Sequence, residues 1–282
     1  MPKKFKIVIK PRFCTGWVLK SCRTNAGPWI MGKIENEELR IRQAYARREA
    51  SGKAALYSWQ RPDAIYMGYR EKAAWAQAFK LLGFTDLSQL EILDVGCGVG
   101  GWLRQLLEWG ADPGRLHGID LLADRIARAQ GLSPATIDFQ VGNACDLDFP
   151  DGSLDLCMAS TVFSSILDAE ARLTLAREMA RVVRPGGWVM ILDYTVSHPR
   201  NPDTIGIRRK EIIRLFPNLK LLYNLRLIFP PPLLRLIPSK LYGLAHFLED
   251  LLPLTCTHRL YVLQQPQSNS TPHQCRKRLA RK

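Results

Sequence analysis

The sequence predicts an α/β fold, a doubly wound sheet of mostly parallel strands. Three observations carry this. From residue 91 onward, short aliphatic runs rich in β-branched residues alternate with segments of helical periodicity. Each run is followed by a helix before the next begins, which is the spacing of a parallel crossover. The first run ends in a glycine-rich turn, Gly96-Cys-Gly-Val-Gly-Gly101, that opens directly into a helix.

The elements follow in order. Residues 35–49 are charged and helical, and a second helix spans 70–82, ended by Gly83. Strand 1 is expected over 91–95 and its helix over 102–109. Strand 2 covers 115–119 and is followed by a helix over 123–130. Strand 3 covers 137–141 and strand 4 covers 154–159. A long helix over 168–183 stops at Pro185-Gly-Gly187, and strand 5 covers 188–193. The texture then changes. A polar stretch, 196–207, leads to a short basic helix over 208–215 and a strand over 219–229. Pro230-Pro-Pro232 and a leucine-rich stretch, 233–254, precede a last strand over 259–263. One domain over 31–265 accommodates all of this: an N-terminal helical cap (31–88), a central core (89–195) and a substrate-side segment with the last two strands (196–265). Residues 1–30 are expected to be a disordered basic extension and 266–282 a disordered basic tail.

The formal net charge of +14 points toward nucleic acid until it is located. Residues 1–30 contribute seven Lys and Arg and 264–282 contribute five, with no acid in either, so the body between them carries only +2. Basic ends on a nearly neutral body are solvated tails, and no nucleic-acid partner is expected. The seven cysteines form no CxxC pair, so neither a metal site nor a disulfide framework is expected. No apolar run is long enough to span a bilayer. A cytoplasmic location follows, with contact at the inner membrane face as the alternative.

The chemistry concentrates at the glycine turn. Without Cβ atoms the backbone can approach a ligand and take positive φ, and the helix beyond aims free N–H groups at it. Gly96, Gly98 and Gly101 match the dinucleotide fingerprint GxGxxG, and Asp120 ends strand 2 where a ribose-binding acid belongs, so a nicotinamide oxidoreductase is a real competitor. Asp94 separates the two. At the mouth of the turn its carboxylate would repel a pyrophosphate by about 4 kcal/mol at 4 Å and an effective dielectric near 20. The same carboxylate attracts a cationic ligand, directly or through the loop it orders; capping the turn is its simpler role. Asp120 suits two ribose hydroxyls, Leu121 an adenine face, and the Asn143 amide an adenine edge, with Ala144 beside it. The loop Ser160-Thr-Val162 after strand 4 would close the pocket, and Cys97 lies within the turn itself.

These residues resemble a known family. Ile92-Leu-Asp-Val-Gly-Cys-Gly-Val-Gly-Gly101 is similar to motif I of the class I S-adenosylmethionine-dependent methyltransferases, and Gly118-Ile-Asp120 to their acidic motif II. Phe149-Pro-Asp-Gly-Ser-Leu-Asp-Leu156 resembles their strand-4 entry and Arg181-Val-Val-Arg-Pro-Gly-Gly187 the turn before strand 5. The resemblance covers about residues 90–195 and is closest to the type 11 group that includes quinone methyltransferases. Thr161-Val-Phe-Ser-Ser-Ile166 and Pro199-Arg-Asn-Pro202 are similar to a bacterial subgroup of unassigned substrate. The family implies a Rossmann-like seven-stranded sheet of order 3-2-1-4-5-7-6 with strand 7 antiparallel. It implies S-adenosylmethionine as methyl donor and S-adenosylhomocysteine as product, contacted by Asp94, Gly96, Gly98, Asp120, Leu121, Asn143 and Ala144. The family often carries Asp where this chain has Asn143. The Asn/Asp-Pro-Pro-Tyr signature of base-methylating relatives is absent at Ala159-Ser-Thr-Val162.

Methyl transfer needs the acceptor held near attack distance and water excluded; a base is needed only if the acceptor must lose a proton. Candidates beyond strand 5 are Asp193, Tyr194, His198, Arg200 and Asn201, with His198 the obvious base and exposure in a loop its plainer reading. The acceptor is expected to be a small molecule, a glycan or a lipid-linked compound, entering past residues 57–69 and 233–254. That second stretch is either a buried helical cap or a surface that touches membrane; only the latter requires exposed leucines. A nucleotide- or RNA-binding module without catalysis is the remaining alternative.

Overall fold

The structure, a computed structural model, describes residues 28–52, 58–197 and 201–267. The expectations for residues 1–27, Tyr57, His198, Arg200 and 268–282 lie outside the described residues.

Helices α1 (Pro28–Ala50) and α2 (Pro62–Leu81) precede an alternating core. It runs β1 (Ile92–Val95), α3 (Gly101–Glu108), β2 (Leu116–Asp120), α4 (Ala123–Leu132), β3 (Asp138–Val141), β4 (Leu154–Ser160), α5 (Ala169–Val182) and β5 (Val183–Tyr194). Then come α6 (Arg209–Leu215), β6 (Lys220–Leu227), α7 (Pro231–Leu234), α8 (Tyr242–Leu251) and β7 (His258–Gln264). The sheet order is β3-β2-β1-β4-β5-β7-β6, as expected. β1 pairs in parallel with β2 and β4, and β7 runs antiparallel to both β5 and β6.

Alternating side chains divide the core into two layers. Leu93 and Val95 face α5 and α6 with Leu175, Met179 and Ile191. Ile92 faces α2 and α3 with Trp75, Phe79, Leu103 and Leu106. Gly118 shows how closely the second layer is built. A Cβ there would lie 2.9 Å from each of Cys97, Leu103 and Phe139, so glycine lets α3 lie down on β2. A small third cluster, Tyr66, Phe229, Leu234 and Ala245, joins α7 and α8 to α2.

Three boundaries differ from expectation. α1 begins at Pro28, ahead of both residue 35 and the boundary drawn at residue 30. α2 begins at Pro62, not residue 70, because proline at the first helical position needs no N–H partner and presets φ. β5 begins at Val183: the Pro185–Gly187 turn is absorbed as a bulge, where the register with β4 shifts between Leu154 and Leu156. Gly187 permits this, since a Cβ would meet the Asp155 carbonyl oxygen at 2.7 Å.

The register also fixes where the last insertion sits. Leu227 at the end of β6 and Tyr194 at the end of β5 both oppose His258 at the start of β7. Residues 228–257 therefore leave and rejoin the sheet at its carboxyl edge, the edge that carries the glycine turn. No described helix is long and apolar enough to cross a membrane.

Candidate functional site

At the carboxyl ends of β1, β2, β3 and β4 lies a cavity with about 870 Å³ of unfilled space, part of it continuous with solvent. Eight expected residues line it: Gly96, Asp120, Leu121, Asn143, Ala144 and the loop residues Ser160, Thr161 and Val162. Asp94, Cys97 and Gly98 do not. The Cys97 side chain turns into the core, where burial pushes its thiol far up and makes it inert.

The turn is wound by backbone bonds and one carboxylate. The Gly96 and Cys97 N–H groups donate to the Ile119 carbonyl at 2.8 and 3.0 Å. Gly98 N–H donates to Asp120 Oδ2, and Leu122 N–H to Asp120 Oδ1, both at 2.9 Å. Asp120 thus ties the glycine turn to β2 and shapes its own turn. Each carboxylate oxygen can accept a second bond, so capacity for two ribose hydroxyls remains. Gly96, Gly98 and Gly100 hold φ of 67°, 56° and 74°.

Asp94 is 1% exposed, and among the described residues no donor reaches its Oδ2. It is therefore not the simple cap of the turn. Burial, with the Asp120 charge second, holds its carboxyl well above the usual aspartate range. A buried acceptor without a partner is costly unless something arrives to satisfy it.

The expected adenine-reading amide is engaged differently. Asn143 Oδ1 accepts from Cys145 N–H at 3.0 Å, and its Nδ2 donates to Glu38 Oε2 of α1 at 3.0 Å. This explains the asparagine where the family often has aspartate: α1 presents a carboxylate, and only an amide can donate to it. Asn143→Asp would set two carboxylates against each other, at a cost of about 1–2 kcal/mol in the docking of α1. Limited proteolysis should then cut α1 faster, and adding Glu38→Gln should restore protection.

α1 was the part of the site missed from sequence. Ile34, Glu37, Glu38, Ile41 and Tyr45 roof the cavity. Arg40 donates to the Ser165 carbonyl, and Arg125 lies 4.3 Å from the Tyr45 ring centre. The signal was present, since these residues share one helical face, but a face does not announce what it covers.

Among the described residues, the candidates Asp193, Tyr194 and Asn201 do not line the cavity. Asp193 is fully buried, and burial raises its carboxyl to about 6. It accepts from Ser164 N–H at 3.0 Å and Tyr194 N–H at 2.8 Å, so it fastens the loop after β4 to the end of β5. The Tyr194 ring packs 4.1 Å from that of His258, whose imidazole burial pushes down to about 3. Asn201 shapes a turn with Asp203. Burial alone raises Glu71 on α2 to about 7, but Glu71 does not line the cavity either.

A family model described as a methyltransferase domain matches residues 92–187, from β1 to the bulge in β5. Those residues are therefore similar to a methyltransferase domain over about a third of the chain. The match holds the glycine turn, Asp94, Asp120 and the β4 loop in one methyltransferase unit. Demethylmenaquinone methyltransferase of Lactococcus lactis is 33% identical over 141 residues, covering 48% of this chain and 53% of that protein. The 2-methyl-6-phytyl-1,4-hydroquinone methyltransferase of Synechocystis is 37% identical over 112 residues, covering 39% and 33%. The matched segment therefore spans about half or less of these relatives. A solved S-adenosylmethionine-dependent methyltransferase from Mesorhizobium loti shares the fold, with a TM-score of 0.52, 18% identity, and coverage of 68% of this chain and 98% of that one.

Proposed function

We propose that this chain transfers a methyl group from S-adenosylmethionine to a small, lipid-soluble acceptor, releasing S-adenosylhomocysteine. The observation that carries it is Asp94: a buried carboxyl with an unpartnered oxygen, beside a turn of positive-φ glycines. A cation fits that arrangement and a pyrophosphate does not. Bound there, S-adenosylmethionine supplies an electrophilic methyl on a sulfonium leaving group.

Asp94 would favour the donor's positive end and Asp120 its ribose hydroxyls, while Leu121 and Ala144 would flank the adenine. Ser160 and the following loop would border the reacting end, held in place by Asp193. α1 would exclude water from above. The two quinone-ring relatives support a lipid-soluble acceptor.

Titration calorimetry tests the donor. S-adenosylmethionine and S-adenosylhomocysteine should bind and NAD should give no heat. Tight NAD binding without binding of the methyl donor would overturn the reading.

A further inference from the structure

The insertion at the carboxyl edge of the sheet carries an apolar surface with no partner in the fold. We propose that α7, α8 and the N-terminal end of α2 together form a docking surface for an anionic lipid bilayer. This goes beyond the transfer reaction and stands without it.

The leucine-rich stretch is a helical cap packed on α2, but it is not fully buried. Leu234 and Ala245 point inward onto Tyr66 and Phe229. The neighbours on the other face do not: Leu236 is 78% exposed, Phe247 58% and Leu254 82%. Ile65 and Tyr69 on α2 are exposed too, as is Trp59 at 79% in the turn before it. Isolated exposed leucines need no explanation, but this many exposed apolar and aromatic side chains on two short stretches of chain that pack together have the composition of an interfacial surface.

Charge selects the partner. Asp63 is buried between Arg61 and Arg235, with bridges of 3.0 and 3.1 Å, so two guanidinium groups share one carboxylate. Glu249 is buried too, accepting from Arg70 at 2.7 Å, Phe229 N–H at 2.9 Å and Tyr66 OH at 3.2 Å. Asp63 and Glu249 are thus turned inward, while Lys240 is exposed and Arg235, also exposed, shares the Asp63 carboxylate. Among the described residues of 58–70 and 229–254, Asp250 is the only exposed acid. An apolar face with outward cations matches a negatively charged lipid surface. The insertion leaves the sheet at the edge that carries the cofactor cavity, so a membrane-dissolved acceptor would reach that edge from the bilayer.

Co-sedimentation of the full chain with vesicles tests this. Vesicles containing phosphatidylglycerol should retain the protein at low salt, and pure phosphatidylcholine several-fold less. Leu236→Glu with Leu254→Glu should lower binding at least about tenfold while leaving the circular dichroism unchanged, since both side chains lie in solvent. Lys240→Gln should lower it about fivefold. Binding unaffected by the leucine substitutions would place it on the basic chain ends and overturn the inference, as would no vesicle binding at all. A stable dimer that the double substitution converts to monomer would assign the patch to a second copy and also overturn it. Calorimetry with S-adenosylmethionine is read separately: its failure removes the donor reading and leaves the lipid surface standing.

Discussion

Asp94→Ala should lower the affinity for S-adenosylmethionine about a hundredfold without lowering the stability of the ligand-free protein. Asp94 lies behind the cavity wall, so the relevant charge pair is about 6–8 Å apart, worth about 2–3 kcal/mol at an effective dielectric of 20. A net loss of about 2–3 kcal/mol corresponds to roughly two orders of magnitude in affinity. The ligand-free protein should not suffer, because the Asp94 oxygen it loses is buried without a donor. The pH dependence separates this from a packing effect. Burial raises the folded-state pKa of Asp94 above the unfolded value of about 3.9, so the folded chain holds this proton more tightly. The stability tied to that proton is full below about pH 4 and is lost as pH rises through the elevated folded value. A cationic ligand favours the ionised form, so affinity should rise with pH across the same window and binding should release a proton. Calorimetry in buffers of different ionisation enthalpy measures that proton. Wild type should show release and Asp94→Asn none; equal proton counts in the two would remove Asp94 from the binding energetics.

The alternating core was legible because its signals are local. Strands buried on both faces read as near-continuous aliphatic runs, and Ile92–Val95, interrupted only by Asp94, is buried at every position. Glycines mark the turn because positive φ strongly disfavours other residues, as at Gly96 and Gly100. The misread parts depend on contacts distant in sequence. Glu38 and Asn143 are 105 residues apart, and neither residue type shows that an amide must face a carboxylate. Asp193 sits where a catalytic acid would sit, yet its bonds to Ser164 and Tyr194 consume it in holding a loop. For 233–254 the apolar content was plain, but which leucines turn inward was decided by Tyr66 and Glu249 on opposite sides of the cap contact.

Gly96→Ala should be the most damaging single methyl added to the site, and its cost divides into two separable parts. The residue holds φ at 67°, where an L side chain costs about 1–2 kcal/mol. Its Cβ would also lie 2.6 Å from Val162 Cγ2, in the loop that follows β4. Valine is stiff at χ1, so relief requires moving the loop backbone, an overpacking cost of about 1–3 kcal/mol. The sum, about 2–5 kcal/mol, should appear as lower thermal stability. Cofactor affinity should fall with it, because Val162 and Ser160 both line the cavity. Val162→Ala removes the struck methyl groups and leaves the backbone conformation of Gly96 untouched. In a double-substitution cycle it should recover the overpacking part and none of the part due to φ. Full recovery would mean that the turn tolerates a side chain at positive φ, and no recovery that the β4 loop does not press on the glycine turn. Partial recovery, with affinity returning further than stability, is the expected result, since the displaced loop disturbs the cavity more directly than the strained residue does.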